Sequence, residues 1–445
     1  MKRFTWVLLG LAAVVCVIAG WIIYVPSPTA FASGGTVALS DYKGANPTGV
    51  PPSLQTADLV TRGQYLTRAA DCEACHTTKG GAPYAGGLAF KLPFGTLYSP
   101  NITPDKDTGI GKWTDADFIN AVHKGIAPDG SRFYPAFPYP SYTMLTNDDV
   151  LAIKAYLFSL APVRQETPAN TLAFPFNQRW GMMFWSLLYN SDERYRPNPT
   201  QSAEWNRGAY LAEALGHCGE CHTPRNLLQA VDNKKKFSGA VTAGWRAYNI
   251  TQDKATGIGS WDIKTTASFL AHGHAEGLGT ASGPMGEAID MSLRHMTPED
   301  IGALVVYLKT IPAIVDTTLP VPKTMLASAF PQDHELDENT RGAMVFAGAC
   351  AACHSWTGKS AVLSYADFIG SRTVNDPTAR NVAQAIIWGV TRHTPNGVVT
   401  MPGFGHAYSD QEIAAVSNYI TARFGAEKSR ITAEEVKKIG KQASQ

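Results

Sequence analysis

The chain has 445 residues, 44% of them hydrophobic, which suffices for real cores and on length alone suggests about three domains. Lysine and arginine total 38 against 37 aspartates and glutamates, so no strong field draws the chain to nucleic acid or to an acidic surface. A low-complexity or disordered chain is excluded on the same grounds.

Lys2 and Arg3 open the chain, and an uncharged run follows from Phe4 to Val25. As a helix that run is just long enough for a hydrocarbon core of roughly 30 Å. It predicts an export signal, with the amino terminus kept in the cytoplasm and everything after Val25 exported. Trp21 and Tyr24 fall where an interfacial belt would lie. Ala30-Phe31-Ala32 resembles a cleavage site, but the apolar run exceeds a usual signal core, and we read residues 1–33 as a retained signal-anchor, a transmembrane helix.

Three units follow. Each begins with an Arg-Gly helix start: Arg62-Gly63-Gln64-Tyr65, Arg207-Gly208-Ala209-Tyr210 and Arg341-Gly342-Ala343-Met344. Each ends in a closing helix led by a capping Thr or Ser, expected over 147–160, 298–311 and 409–424, with Tyr156, Tyr307 and Tyr419. Thr114 and Asp117 resemble a capping box for a further helix, echoed at 381–390. The first two units share a loop, Asn101-Ile102-Thr103 through Thr108-Gly109-Ile110-Gly111 and Asn249-Ile250-Thr251 through Thr256-Gly257-Ile258-Gly259, followed by Trp113 and Trp261; the third lacks it. The units run 61–161, 207–311 and 341–425, joined by a connector at 162–206 and a proline-rich linker at 312–340, with a tail at 426–445. The connector's Phe174, Phe176, Trp180, Phe184 and Trp185 are expected to pack against the units it joins, since a free linker needs no such residues.

Of seven cysteines, Cys16 falls in the apolar leader and the other six form Cys72-Glu73-Ala74-Cys75-His76, Cys218-Gly219-Glu220-Cys221-His222 and Cys350-Ala351-Ala352-Cys353-His354. C-x-x-C-H is the attachment signature of c-type haem. Residues three apart share a helix face, so two thiols reach the two vinyl groups of one porphyrin. The adjacent histidine then supplies an axial imidazole to the iron. Disulfides or zinc sites explain the pattern poorly, because the groups are far apart and neither accounts for a histidine after every second cysteine. We therefore expect three covalently bound haem c groups, held by Cys72, Cys75, Cys218, Cys221, Cys350 and Cys353, with His76, His222 and His354 on the irons.

A helix bearing C-x-x-C-H, a terminal helix crossing the first and a distal methionine resemble a class I cytochrome c domain, so the fold expected is all-α, three such domains in tandem behind a membrane helix. The strings Leu-Tyr-Ser-Pro-Asn-Ile-Thr, Tyr-Pro-Ala-Phe-Pro-Tyr and Gly-Glu-Cys-His-Thr-Pro-Arg and the doubled loop resemble the triheme cytochrome c subunit of membrane-bound alcohol, gluconate and fructose dehydrogenases, and related cytochromes of aldehyde or nicotinate hydroxylases. The resemblance implies an electron-transfer subunit that takes electrons from a quinoprotein, flavoprotein or molybdoprotein catalytic subunit and passes them to ubiquinone or a terminal oxidase. It implies haem domains in the periplasm, on the bacterial cytoplasmic membrane. Family members are often held to the membrane near their carboxyl end, whereas the only plausible span here is at the amino terminus.

Histidine with methionine gives an iron the high potential suited to accepting electrons. Met401, in Met401-Pro402-Gly403-Phe404, is the expected sixth ligand in the third unit. Met285 resembles the family's Gly-Pro-Met ligand in the second and is expected on a turn, with Met291 and Met296 read as packing residues. In the first unit the family's Tyr-Pro-Ala-Met reads Tyr134-Pro135-Ala136-Phe137, leaving Met144, with His123, Met182 and Met183 as fallbacks and His123 read as a helix-surface imidazole. Trp113 and Trp261 either donate to a haem propionate or simply pack. His217 and His274 are among the histidines with no role legible in the sequence. No nucleophile or acid-base pair speaks for a substrate site; a multihaem peroxidase or reductase and a free periplasmic carrier are the alternative readings.

Overall fold

The computed structural model describes residues 2–26, 47–330 and 339–442. Ala30-Phe31-Ala32 and linker residues 331–338 lie outside them. The first helix, α1 (Lys2–Ile23), exposes the apolar side chains of Trp6, Leu9, Leu11, Val14, Val17 and Ile18. Among the described residues, however, no helix is long and apolar enough to cross a membrane, and the expected transmembrane helix is not found there.

The first unit opens with α2 (Leu59–Ala69), capped by Asp58, whose carboxylate accepts from the backbone of Val60 and Thr61, and continues into α3 (Cys72–His76). A hairpin of β1 (Ala89–Leu92) and β2 (Gly95–Tyr98) follows. Then come α4 (Asp115–Lys124), started by the Thr114/Asp117 capping box, α5 (Tyr139–Tyr142) and α6 (Asn147–Ser159). The connector carries α7 (Gly181–Tyr189). In the second unit α8 (Ala203–Tyr210) runs through a π-helical turn at Leu211–Leu215 to α9 (Gly219–His222). Next are β3 (Ala240–Thr242) paired with β4 (Trp245–Ala247), α10 (Ile263–His272), β5 (His274–Ala275) paired with β6 (Gly279–Thr280), α11 (Gly283–Met291) and α12 (Pro298–Leu308). The third unit has α13 (Thr340–Val345), a π-helical turn at Phe346–Cys350, α14 (Ala351–His354) and α15 (Arg380–Trp388). It closes with β7 (Val390–Thr394) paired with β8 (Gly397–Met401), then α16 (Asp410–Phe424) and α17 (Ala433–Gln442).

The fold is mostly helical, but four two-stranded antiparallel hairpins correct the all-α expectation. Strands of two to five residues are too short to show an alternating pattern. In every unit the opening helix crosses the closing one at the glycine of the Arg-Gly start. A Cβ on Gly63, Gly208 or Gly342 would run into the backbone carbonyl of Ala152, Ala303 or Ala415 respectively. Glycine is required there because two backbones touch.

The first two units share one continuous core, built from Leu66, Leu145, Val150, Tyr210, Leu215 and Tyr307 among others, whereas the third has its own around Phe346, Ile413, Tyr419 and Phe424. The tail joins that third core through Val436 and Ile439 of α17 instead of hanging free. A reciprocal lock holds the first two units together. Tyr65 of α2 donates to Asp300 of α12 at 2.5 Å, and Tyr210 of α8 donates to Asp149 of α6. Arg207 forks onto the same Asp300 at 2.8 and 2.6 Å. In the third repeat the tyrosine position is Met344, which is 69% exposed.

The connector departs from expectation. Of the five aromatics expected to pack, Trp185 alone is buried, with its indole donating to the carbonyl of Leu228 at 2.7 Å. Phe174, Trp180 and Phe184 are exposed, and Phe176 stacks on Phe94 at 4.1 Å while remaining 46% exposed. Trp180 and Phe184 meet edge-on, and Leu187 and, in the second unit, Leu227 are exposed as well.

Candidate functional site

All seven cysteines are free thiols, and among the described residues no three His, Cys, Asp or Glu side chains gather as a metal site. Disulfides are absent and zinc lacks a ligand set. Burial pushes the thiols up, Cys72 and Cys218 to about 12 and Cys221 and Cys350 to about 11, so they are protonated at neutral pH.

The histidine after each pair is held in one way throughout. His76 Nδ1–H donates to the carbonyl of Pro100 at 2.7 Å, His222 to Tyr248 at 2.6 Å and His354 to Ala366 at 2.7 Å. Burial lowers all three pKa values, keeping the rings neutral. A neutral imidazole with Nδ1–H committed to a carbonyl has its Nε2 lone pair left for a metal, the usual support of an axial histidine. Two free thiols beside such a histidine fit covalently attached haem.

That hydrogen bond also explains the doubled loop. Pro100 and Tyr248, which supply the carbonyls, immediately precede Asn101 and Asn249. Asn101 Oδ1 accepts from the Thr103 amide at 2.9 Å and its Nδ2 donates to Val163 at 2.7 Å; Asn249 does the same with Thr251 at 2.9 Å and Ile314 at 2.6 Å. The loop therefore fixes a carbonyl for the histidine. In the third unit the carbonyl comes from a 3-10 turn, Ser364–Ala366, and the Phe368 ring stacks on His354 at 4.2 Å.

The attachment segments of the first two units meet at the shared seam. Asp71 and His217, each just before a first cysteine, both adopt left-handed backbone with φ of 53° and 33°. Tyr142 donates to the carbonyl of Ala70 at 2.6 Å and lies edge-on to His217. Burial first, then the charges of Glu287 and Glu73, push the Asp71 carboxyl up to about 8.

The methionines lie as follows. Met401 ends β8 and is half-buried against the third core. Met285 is the third residue of α11, after Pro284 in the first turn, and not on a turn as expected; proline starts a helix well because its missing N–H has no partner there anyway. Met144 is buried between α5 and α6, and its carbonyl accepts from the Tyr195 amide at 2.9 Å. Phe137 packs beside Tyr142, with ring centroids 5.5 Å apart. Met182 and Met183 lie on α7 of the connector. His123 is fully buried on α4 and not a surface imidazole: neither ring nitrogen has a hydrogen-bond partner among the described residues, and burial pushes it down to about 4. Trp113 and Trp261 pack against the shared core.

The cytochrome c family model matches residues 60–161, and that of subunit III of the cbb3-type cytochrome c oxidase matches residues 337–420. Cytochrome c domains carry covalently bound haem c. The chain is 36% identical over 418 residues to the fructose dehydrogenase cytochrome subunit of Gluconobacter japonicus, covering 89% of this chain and 85% of the relative. It is 37% identical over 407 residues to the gluconate 2-dehydrogenase cytochrome c subunit of Pantoea cypripedii, covering 86% and 90%. With the cytochrome c subunit of the quinone alcohol dehydrogenase of Gluconacetobacter polyoxogenes it shares 34% over 399 residues, covering 86% and 84%. The chain belongs to the family of cytochrome c subunits of the fructose, gluconate and alcohol dehydrogenases.

Proposed function

We propose that the chain carries three haem c groups and relays electrons from a dehydrogenase catalytic subunit to ubiquinone or a terminal oxidase, on the periplasmic side of the bacterial cytoplasmic membrane. The observation that carries this reading is the threefold repeat of two free thiols beside a histidine whose Nδ1–H is spent on a carbonyl. Bound haem supplies one-electron redox chemistry. The protein's part is to hold each proximal imidazole neutral and oriented, and to shield it from water. The relatives, named as subunits of dehydrogenases, support a dehydrogenase catalytic subunit as the partner.

Attachment to the membrane is part of the proposal. Leu11, Val14, Val15, Val17 and Ile18 of α1 are exposed apolar side chains, which a water-facing helix would not gather. Its end is tied to the second unit: Lys234 Nζ donates to the Trp21 carbonyl at 2.6 Å and lies over the Trp21 ring, and Asn233 donates to Pro26.

Affinity purification from solubilised membranes should bring down a larger dehydrogenase subunit, and reductive titration of the cytochrome chain freed of that partner should consume three electrons per chain. Recovery of the chain alone from the soluble fraction, or rapid peroxide turnover by a high-spin haem, rejects the reading and favours the carrier or the peroxidase.

For sixth ligands we propose Met285, Met401 and Met144. Met144→Leu should abolish the sulfur-to-iron charge-transfer band of one haem and leave the other two. An unchanged spectrum rejects Met144 and turns attention to buried His123.

A further inference from the structure

The carbonyls that hold the second and third proximal histidines lie at the boundary between the second and third units, and the segment carrying each is braced by side chains of the other unit. Tyr248, whose carbonyl accepts from His222, sends its side chain across to the third unit, where its hydroxyl donates to Asp376 at 3.3 Å. Asp376 is fully buried and also takes Arg246 at 3.3 Å, two residues before Tyr248. Asn381 of α15 then clamps the Arg246 backbone on both sides, accepting from its amide at 2.8 Å and donating to its carbonyl at 2.9 Å. Its side chain takes the place a neighbouring strand would have beside β4.

The converse clamp grips the third unit. Thr280 of β6 donates to the carbonyl of Tyr365 at 2.9 Å, one residue before Ala366, whose carbonyl accepts from His354. His274 of β5 contacts the Thr280 hydroxyl at 3.0 Å and stacks on the Tyr365 ring at 4.3 Å. Pro100 of the first unit has the loop anchor that Tyr248 also has, Asn101 on Val163 matching Asn249 on Ile314, but among the described hydrogen bonds no side chain of the third unit braces it.

We propose that Asn381 and Asp376 are positioning residues for the proximal ligand of the second haem, and Thr280 and His274 for that of the third, so that each unit tunes the iron of its neighbour. The hydrogen bond from Nδ1–H to a carbonyl sets the orientation and basicity of the ligating imidazole, and with them the potential of the iron. Docking of the two units and the potentials of their haems are thereby linked.

This inference rests on the haem reading above, and one set of measurements separates the two. The potentials of the holo-cytochrome are titrated in the native chain, in Asn381→Ala and in Thr280→Val. Hyperfine-shifted Nδ1–H resonances of isotope-labelled histidine identify which haem responds. Asn381→Ala, a change in the third unit, should move the second haem's reduction equilibrium about tenfold, which is 59 mV for a one-electron couple. Thr280→Val, in the second unit, should move the third haem by a similar factor, and the first haem should stay fixed in both. His274→Phe, which keeps a ring on Tyr365, should shift the third haem less than His274→Ala.

A shift confined to the haem of the mutated unit, or no shift in either variant, overturns the proposal. Fewer than three electrons taken up by the native chain would instead overturn the haem reading itself. General loosening of the fold does not produce a displacement of the neighbour's haem alone.

Discussion

Replacing Gly208 with alanine should destabilise the joined first and second units by about 3 kcal/mol, the upper range for forcing atoms into a filled site. The reason is geometric. A Cβ at that position would run into the carbonyl of Ala303 and press on the Cβ of Tyr307, and the backbone of α12 cannot yield as the end of a long side chain would. Tyr307 in turn donates to Glu213 at 2.6 Å, and Glu213 is ion-paired with Lys236 in the core, so displacing α12 disturbs that buried trio as well. The urea midpoint of the two-unit core is the measurement. Gly181→Ala, at a helix start with no atom within 4 Å of its Cβ, is the control and should leave the midpoint in place. If both variants unfold at the native midpoint, the glycine is not needed for the crossing.

That threefold glycine shows how far the sequence could be read. The C-x-x-C-H groups, the capping residues and the Arg-Gly starts all repeat, and local chemistry decides each of them; so the helices appear within a residue or a few of where the pattern puts them. The glycine's purpose was not legible, because a close approach between α8 and α12 joins residues about a hundred positions apart. The same holds for the doubled Asn-Ile-Thr loop: its repetition was visible, but the carbonyl it offers to the proximal histidine lies on the residue before it. The contacts of His274 with Tyr365 and of Asp376 with Tyr248 carry no local signal, since in each the two residues belong to different units. The connector misled because aromatic residues in a linker ordinarily seek a core, and here several stay at the surface. Tyr65, Tyr210 and Met344 held a clue that becomes readable only in the fold: two repeats keep the tyrosine that locks them together, and the third, which does not join that lock, has lost it.

Removing the hub of that lock should have the largest effect of any single polar substitution. Asp300 is 2% exposed and receives three hydrogen bonds, two from Arg207 and one from Tyr65. Asp300→Ala leaves the Arg207 guanidinium buried without its counter-charge, and breaking such a pair from one side costs about 3–5 kcal/mol. Arg207 keeps its bonds to the carbonyls of Pro47 and Gly49, at 2.9 and 2.7 Å, which satisfy donors but do not neutralise the charge. Tyr65→Phe removes one neutral donor and the acceptor of the Thr297 amide at 3.3 Å but leaves the Arg207–Asp300 pair intact, and should cost about 2 kcal/mol. A double-mutant cycle over the two positions should therefore show coupling, because once Asp300 is gone the tyrosine hydroxyl has lost its acceptor. Unfolding of the first two units followed in urea reads both quantities. The third unit, with a separate core, should unfold at an unchanged midpoint in the same experiment. Equal losses for Asp300→Ala and Tyr65→Phe would show that the charge on Arg207 is already balanced elsewhere, and that the reciprocal tyrosines rather than the ion pair hold the two units in register.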